Sequence, residues 1–337
     1  MQPSELIPER FRDGAQRMAA ALRGVDRVIV AAHVNPDGDA VGAVAAAGHI
    51  LRALSKEFFL YVTPRVPQDL SFLPLPGTAH TTLERLPFTP RWALLLDCGE
   101  PRRLGQELAD RLPELESLNI DHHLGGDGMG SAGNWVEPQA AATAQLMAYV
   151  ALAAGLPLEG DLATAVTLGL VTDTGGFRHG NTGADVLRLA AHLVEKGCDL
   201  AGLREKLDSN WSQARMHLWG ELMRRAELRR GGTVAFCPVR LDDLRAAGAL
   251  KEDLEGFVEQ LRQLRGVRAA ALLREDAPGC CKFSLRSCGP VDVRAAAAAL
   301  DGGGHRNAAG GTLRMGMPEA EETLLNALAR ELDSEGL

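Results

Sequence analysis

Short apolar runs that end on acidic or histidine residues are the feature of this 337-residue chain that most constrains its fold. Each run is rich in β-branched or leucine residues, and stretches long enough for helices lie between them. The runs are 27–32, 92–96 and 118–120, and the residues that follow them are His33, Asp97 and Asp121. Such runs are typical of buried parallel strands. We therefore predict an α/β fold with a mostly parallel sheet that is covered by helices on both faces.

The length of the chain and its 46% hydrophobic content are sufficient for two domains with separate cores. After a mostly helical middle region, a turn and a strand near Arg230 begin a smaller α/β unit. We predict a catalytic domain at 1–195, a helical linker at 196–226 and a second domain at 227–337.

The location of the protein is constrained by what the sequence lacks. No apolar stretch approaches the roughly 20 residues that cross a bilayer, and the segment Met1–Arg12 is too polar for a signal peptide. The six cysteines have no paired spacing, so we expect reduced thiols. These features predict a soluble, cytoplasmic protein.

The distribution of charge points to a local anion site. The net charge of -8 argues against a general nucleic-acid coat protein. Between Leu261 and Met315, however, nine basic residues stand against four acidic ones, a local net charge of +5. This segment indicates either a site for an anionic ligand or a solvated helix face, and both interpretations stay open at this point.

Four clusters of carboxylate and imidazole side chains are candidate metal ligands. His33, Asp37 and Asp39 share a turn, Asp97 follows a buried strand, and Asp173 interrupts an apolar run. The segment 121–123 adds an aspartate and two histidines. Each cluster has an ordinary alternative, because Pro-Asp-Gly is a common turn and a strand-end aspartate often caps a helix.

The donor types of these clusters predict the metal and the chemistry. Carboxylate and imidazole ligands without a thiolate suit manganese, with magnesium or cobalt as alternatives, better than a closed zinc site. So many carboxylates favour two ions, with Asp97 as the shared ligand. Two ions about 3.5 to 4 Å apart can activate water and stabilise a phosphoryl group, so we predict phosphate ester hydrolysis.

A glycine-rich segment near the C-terminus, 302–310, is a candidate anion site. Its three consecutive glycines allow a close backbone approach, and His305 and Arg306 add charge. Ser284, Arg286 and Ser287 lie on a neighbouring predicted strand. A helix C-cap would explain Gly302 alone.

Taken in order, these motifs resemble those of the DHH phosphoesterases, a RecJ-like superfamily, in the subgroup with a C-terminal DHH-associated domain. The matching segments cover nearly the whole chain. They are 33–39, Asp97, 121–123, 169–178 and 302–310.

The resemblance implies a role for each candidate residue. One manganese ion would be held by His33, Asp37 and Asp97, and the other by Asp39, Asp97, His122 and Asp173. A hydroxide shared by the ions would be the nucleophile. Asp121 and His123 would be catalytic, with His123 at the scissile phosphate. The expected substrate-binding residues are Arg178, Arg286, Ser287, Gly303, Gly304 and His305.

Two departures from the family pattern stand out. The segment 124–130 is rich in glycine where relatives often carry an asparagine and an aromatic residue. Position 145, commonly glutamate in relatives, is glutamine. Neither departure affects the expected metal ligands.

Within the family, the length favours enzymes of the nano-RNase type over RecJ-type exonucleases, which carry a further nucleic-acid-binding domain. The resemblance then implies degradation of about two to five nucleotides to mononucleotides, and removal of the 3'-phosphate of adenosine 3',5'-bisphosphate (pAp). We expect no long nucleic acid and no membrane as partners, and a homodimer is left open.

Other functions remain as alternatives. One is a phosphodiesterase for linear or cyclic dinucleotides such as pApA or c-di-AMP. Another is a metal-dependent nucleotide-binding protein without catalysis. Family II pyrophosphatases share the first domain, but the Gly-Gly-Gly-His segment argues against that activity.

Overall fold

The computed structural model describes residues 3–126, 128–209 and 211–334. The chain forms two compact units, Met1–Asn210 and Trp211–Leu337, and each has its own six-stranded sheet. The region of the predicted linker contains two helices that pack in different units: Leu203 joins the core of the first, and Leu218 that of the second. In the described part of the chain, no helix is long and apolar enough to cross a membrane.

The first unit is built on a parallel sheet with strand order β3-β2-β1-β4-β5-β6. Its strands are β1 (Val28–Ala31), β2 (Phe58–Tyr61), β3 (Ala79–His80), β4 (Trp92–Leu96), β5 (Glu116–Asp121) and β6 (Gly133–Val136). The predicted α/β fold with a mostly parallel sheet is confirmed. Strands β3 and β6 were not predicted, because β3 has only two residues and β6 follows a glycine-rich loop and has little apolar signal.

Both faces of this sheet are buried, since successive strand residues point to opposite sides. Val28 and Val30 of β1 pack with the larger core, while Ile29 and Ala31 pack with a smaller core on the other face. The smaller core includes Leu108 of a short helix. Burial on both faces explains why these strands appear in the sequence as continuous apolar runs.

Seven helices of the first unit lie within its described residues. They are α1 (Glu9–Gly24), α2 (Gly38–Ala53), α3 (Gln106–Arg111), α4 (Thr143–Ala153), α5 (Gly160–Asp173), α6 (Ala184–Glu195) and α7 (Leu200–Asp208). Helices α2 and α5 approach closely at two glycines: a Cβ on Gly42 would lie 2.6 Å from the Ala165 carbonyl oxygen, and one on Gly169 would lie 2.5 Å from Asp39 Oδ1. This approach brings the ends of both helices to one place.

The second unit has a mixed sheet of order β11-β12-β10-β9-β8-β7, in which β8 and β9 are parallel and the other pairs antiparallel. Its strands are β7 (Glu227–Arg229), β8 (Val234–Val239), β9 (Ala269–Ala277), β10 (Cys280–Ser287), β11 (Gly303–His305) and β12 (Ala308–Leu313). Its helices are α8 (Gln213–Arg225), α9 (Leu241–Ala247), α10 (Phe257–Arg262), α11 (Val293–Ala298) and α12 (Met317–Ser334). The smaller α/β unit is therefore confirmed. Five of its elements were not predicted: α9, α12, β7, β11 and β12.

Candidate active site

The ends of three adjacent strands carry the first candidate residues. His33 lies just beyond β1, Asp97 directly follows β4, and Asp121 is the last residue of β5. Because β1, β4 and β5 are neighbours and parallel, their carboxyl ends meet at one edge of the sheet. Helix α2 begins at the same edge, with Asp37 as its N-cap. The sheet topology thus gathers residues that are far apart in sequence.

The side chains of His33, Asp37 and Asp97 form the first group of converging donors. One donor atom from each lies within 4.8 Å of the other two. His33 Nε2 is 3.8 Å from Asp37 Oδ2 and 3.5 Å from Asp97 Oδ2. These separations are too long for good hydrogen bonds, but ligands that bind one cation at about 2.1 Å stand roughly 3 Å apart or more. The spacing therefore fits a shared cation.

A second group consists of Asp39, Asp97 and His122, again within 4.8 Å of one another. His122 Nε2 lies 3.7 Å from Asp39 Oδ2, 3.5 Å from Asp97 Oδ1 and 3.2 Å from Asp173 Oδ2. The structure thus brings Asp173 to this group as well. It is the last residue of α5.

Backbone carbonyl groups orient His33 and His122 in the same way. Nδ1 of His33 is 3.0 Å from the Val34 carbonyl oxygen, and Nδ1 of His122 is 3.3 Å from that of Ala140. A carbonyl only accepts, so Nδ1 carries the proton and Nε2 presents its lone pair to the carboxylates. Metal-binding histidines are commonly oriented by such a bond from the other ring nitrogen.

Asp97 stands between the two groups. It is 1% exposed, and it turns Oδ2 toward His33 and Oδ1 toward His122. Its backbone has φ of 52°, a left-handed conformation that costs a non-glycine residue energy and that is found disproportionately at functional sites. The Thr143 hydroxyl donates to Asp97 Oδ1 at 2.9 Å and holds the carboxylate in place.

Asp39 is held by the amino end of helix α4. Its Oδ2 accepts from the Thr143 amide at 2.6 Å, and its Oδ1 accepts from the Ala144 amide at 2.9 Å. The side chain is fully buried. These bonds satisfy two amides that the helix leaves unpaired, and they fix both carboxylate oxygens.

The raised pKa values of Asp39 and Asp173 indicate that the protein undercompensates the negative charge around these two carboxyl groups. Burial, together with the charges of Asp97 and Asp173, raises the pKa of Asp39 well above its usual value. Burial and the charges of Asp37 and Asp97 likewise raise the pKa of Asp173. A divalent cation would remove this cost, because it offsets buried like charges. Carboxylate oxygens and imidazole nitrogens are donors that such a cation accepts.

His123 differs from His122 in its partner. Its Nδ1 lies 2.7 Å from Asp121 Oδ1, which also accepts from the backbone amides of His122 and His123. Burial alone would lower the pKa of His123, but the bond to Asp121 and the charge of Asp97 raise it to about 9. Asp121 is 1% exposed. Its hydrogen bond to Nδ1 orients the His123 ring and favours the protonated form of the ring.

Two supporting residues escaped the sequence analysis because their contacts are long-range. The Asn181 amide donates to the Ala141 carbonyl at 3.2 Å and to that of Asp173 at 3.1 Å, linking the segment that orients His122 to the end of α5. Thr143, described above, is the second. Polar residues at helix starts and loop ends are common, so neither carried a distinctive sequence signal.

Gln145 has a defined role in this supporting layer. Its Oε1 accepts from the Ala141 amide at 2.7 Å, and its Nε2 donates to Tyr149 and to Asp185. An ionised glutamate at this position could not donate a hydrogen bond to Asp185, and the two carboxylates would repel each other. Glutamine therefore suits an environment that contains Asp185.

The glycine-rich segment 124–130 is anchored at its end by two asparagines. Asn119 accepts from the Met129 amide at 3.1 Å, and Asn134 both accepts from the Gly130 amide and donates to its carbonyl. The same Asn119 donates to the carbonyls of Leu95 and Cys98 on either side of Asp97. Asp127 of this segment lies outside the described residues.

The expected substrate-binding residues have different environments. Arg178 is exposed in the first unit, where its Nε donates to the Gly175 carbonyl. In the second unit, Arg286 is partly exposed and pairs with Glu259 at 2.6 Å. Ser287 is buried, and its hydroxyl donates to the Val291 carbonyl and accepts from Asn307. The hydroxyl is therefore engaged in hydrogen bonds within the second unit.

The glycine-rich motif of the second unit forms a strand at the edge of the sheet. Gly303, Gly304 and His305 make up β11, paired with β12. Gly303 is exposed, and Gly304 has φ of 134°, a conformation that a side chain would strain. A Cβ on Gly304 would also lie 2.5 Å from the Ala308 carbonyl oxygen. The close approach of two strands therefore explains Gly304, which a helix C-cap does not.

Comparison with known proteins agrees with this architecture. The family model described as "DHH family, N-terminal domain" matches residues 27–170, and the one described as "DHHA1 domain" matches 233–334. The chain is 34% identical over 330 residues to the bifunctional oligoribonuclease and PAP phosphatase NrnA of Thermus thermophilus, with 97% of each chain covered.

Two solved structures share the fold. An exopolyphosphatase-related protein from Bacteroides fragilis aligns with a TM-score of 0.85 at 24% identity, covering 94% of this chain and 96% of its own. RecJ from Thermus thermophilus, in complex with Mn²⁺, aligns with a TM-score of 0.53 at 17% identity, covering 96% of this chain and 55% of RecJ. The matches to both family models and the Thermus relative show that this chain is a hydrolase of the DHH family with a C-terminal DHHA1 domain.

Proposed function

We propose that this enzyme hydrolyses short oligoribonucleotides, of about two to five nucleotides, to mononucleotides and also removes the 3'-phosphate of pAp. The observation that carries the proposal is the placement of Asp97, whose two oxygens face two separate donor groups. The substrate class is supported by the Thermus relative, which is named a bifunctional oligoribonuclease and PAP phosphatase.

The two donor groups would each hold one divalent cation, with manganese as the proposed metal. His33 and Asp37 would complete the first site with Asp97. Asp39, His122 and Asp173 would complete the second with the same Asp97. Bound cations supply the positive charge that makes water acidic and stabilises the phosphoryl oxygens during in-line attack.

The protein's own groups prepare this site. The amides at the start of α4 fix Asp39, and the Thr143 hydroxyl fixes Asp97, so little reorganisation is needed when substrate binds. Val34 and Ala140 hold the two histidine rings with Nε2 toward the carboxylates. Preset positions of this kind account for much of the catalytic effect of polar sites.

His123 is the proposed proton donor. The hydrogen bond from Nδ1 to Asp121 raises the pKa of His123 and so favours the protonated ring. Nε2 can therefore donate a hydrogen bond to the scissile phosphate and then transfer its proton to the leaving oxygen. Such a donor stabilises the charge that develops on the leaving group.

Arg178 in the first unit and Arg286, Gly303, Gly304 and His305 in the second are proposed to bind the phosphate and sugar of the substrate. Arginine suits this task because its planar guanidinium forms paired hydrogen bonds to phosphate. Ser287 would act indirectly, by supporting the turn that follows Arg286. We also propose a cytoplasmic location, in keeping with six cysteines that are all free thiols.

The test is a turnover assay with manganese on a panel of substrates: the dinucleotide pApA, a tetraadenylate, pAp and c-di-AMP. We expect mononucleotide from the linear chains and phosphate from pAp, and loss of both with His122→Ala. Hydrolysis of c-di-AMP in preference to the linear chains would favour the cyclic-dinucleotide alternative. Absence of product above the His122→Ala background would overturn the proposed function.

A further inference from the structure

One face of the second unit's sheet is partly open and basic. Strand residues alternate between faces, and Phe283 and Leu285 of β10 are in the core. Lys282, Ser284 and Arg286 therefore lie on the opposite face. Helix α10 covers this face over β9, where Phe257 and Leu261 pack with Ala270 and Leu272.

Beyond this cover, the same face holds a cavity of about 310 Å³. Its lining combines two cationic side chains, two hydroxyls and small or apolar residues: Leu272, Arg274, Lys282, Phe283, Ser284, Gly311 and Thr312. Cationic groups and hydroxyls are the side chains that most often contact phosphate oxygens of nucleic acids.

The charges around the cavity leave a net positive field. Arg274 is fixed by Asp276, at 2.8 Å, and Asp276 also pairs with Lys251 at 3.0 Å. Lys282 is the second cation of the lining and is exposed. The lining thus contains two cations and no carboxylate. The ion pair holds Arg274 in one orientation, so a bound anion need not order that side chain.

The distance from Arg286 matches a continuing nucleotide chain. Ser284 and Lys282 lie two and four residues from Arg286 on the same strand and the same face. At about 3.4 Å per residue these steps are roughly 7 and 14 Å. They correspond to one and two steps of an extended nucleotide backbone.

We propose that the cavity bounded by Arg274, Lys282 and Thr312 binds a backbone phosphate two nucleotides away from the phosphate at Arg286. Chains of three to five nucleotides then bind more tightly than dinucleotides. This inference rests on the proposed function. It adds the part of the binding site that makes longer substrates bind more tightly than dinucleotides.

The experiment measures kcat/KM of the manganese enzyme for pApA and for tetraadenylate, in the wild type and in Lys282→Ala. We expect about a tenfold loss on the tetranucleotide and less than a twofold change on the dinucleotide. The slope of log Kd against log salt for tetraadenylate should fall by about 0.7, the contribution of one phosphate contact to a single strand. Equal losses on both lengths would overturn the proposal.

A matched control comes from a second cavity of the same unit, about 380 Å³ and lined by Arg230, Thr233, Arg268 and Leu332. Arg268→Ala removes one positive charge there and should leave the ratio of the two substrates unchanged. A length-dependent loss in Arg268→Ala as large as that in Lys282→Ala would show a general charge effect and overturn the subsite.

Failure of the proposed function would be seen separately. If the wild type hydrolyses neither substrate, fluorescence anisotropy with labelled di- and tetraadenylate still tests the cavity. Tighter binding of the tetranucleotide that is lost in Lys282→Ala would support the subsite. Equal affinity of the wild type and the variant for the tetranucleotide would contradict it.

Discussion

The candidate metal centre in the first unit and the basic face of the second are opposites in charge and burial. Asp39 and Asp97 are at most 1% exposed and are fixed by hydrogen bonds from α4. Arg286 and Lys282 are partly or fully exposed and belong to a unit with a local excess of positive charge. A buried, fixed cluster suits chemistry, while an exposed basic face suits binding of an anionic chain.

This comparison separates two kinds of kinetic effect. Changes in the buried cluster should act on metal retention and kcat, since they alter groups used in the reaction itself. Changes on the basic face should act mainly on KM, because they remove contacts made equally in the ground state and the transition state. The predictions below test this separation.

The largest effect is expected for Asp97→Asn. The amide keeps one oxygen donor but loses the charge and the second donor, so both cations lose their shared ligand. We expect turnover to fall by about 10³-fold or more, with an unchanged circular dichroism spectrum. Asp13→Asn, on the exposed side of α1, is the control. Residual activity within about tenfold of the wild type would exclude the shared-ligand arrangement.

Gly169→Ala tests whether helix packing fixes the cluster. The new methyl group would lie 2.5 Å from Asp39 Oδ1 and 2.4 Å from the Ala144 Cβ, so Asp39 or α4 must shift. We expect about a 100-fold weaker manganese affinity, measured by calorimetry. Gly24→Ala, which meets nothing within 4 Å, should leave affinity unchanged. Normal affinity in Gly169→Ala would mean that the packing of α2, α4 and α5 does not fix the position of Asp39.

Thr143→Val should have a smaller effect of the same kind. It removes the hydroxyl that binds Asp97 but keeps the shape of the side chain and the amide bound to Asp39. Manganese affinity should fall by about 10-fold, as is typical when a supporting hydrogen bond is lost. Thr143→Ser keeps the hydroxyl and should rescue binding. If serine and valine behave alike, the effect comes from packing.

An effect of similar size, but on KM, is expected for Arg286→Ala. KM for pApA should rise about tenfold while kcat changes by less than threefold, because the residue acts in binding. Glu259→Gln removes the ion pair but keeps the arginine, and it should not raise KM. A rise in KM for both variants would show that the pair only supports the fold.

The sequence predicted most of the sheet and the candidate ligands, because each depends on a local pattern. The runs that became β1, β4 and β5 are apolar on both faces, and their ends are marked by His33, Asp97 and Asp121. Parallel strands place such ends together without further information. The residues from distant motifs therefore meet as expected.

The parts that escaped prediction depend on contacts between distant segments. Thr143 binds Asp97 from 46 residues away, and Asn181 binds Ala141 from 40 residues away. No rule based on the spacing of residues along the sequence predicts contacts between residues so far apart.

The central claim is that six side chains of the first unit hold two cations that share Asp97. The most direct test is a crystal structure grown with manganese and measured at the manganese absorption edge. We predict two anomalous peaks about 3.5 to 4 Å apart, one at His33 and Asp37, the other at Asp39, His122 and Asp173, both in contact with Asp97. A single peak, or peaks that do not contact Asp97, would contradict the account.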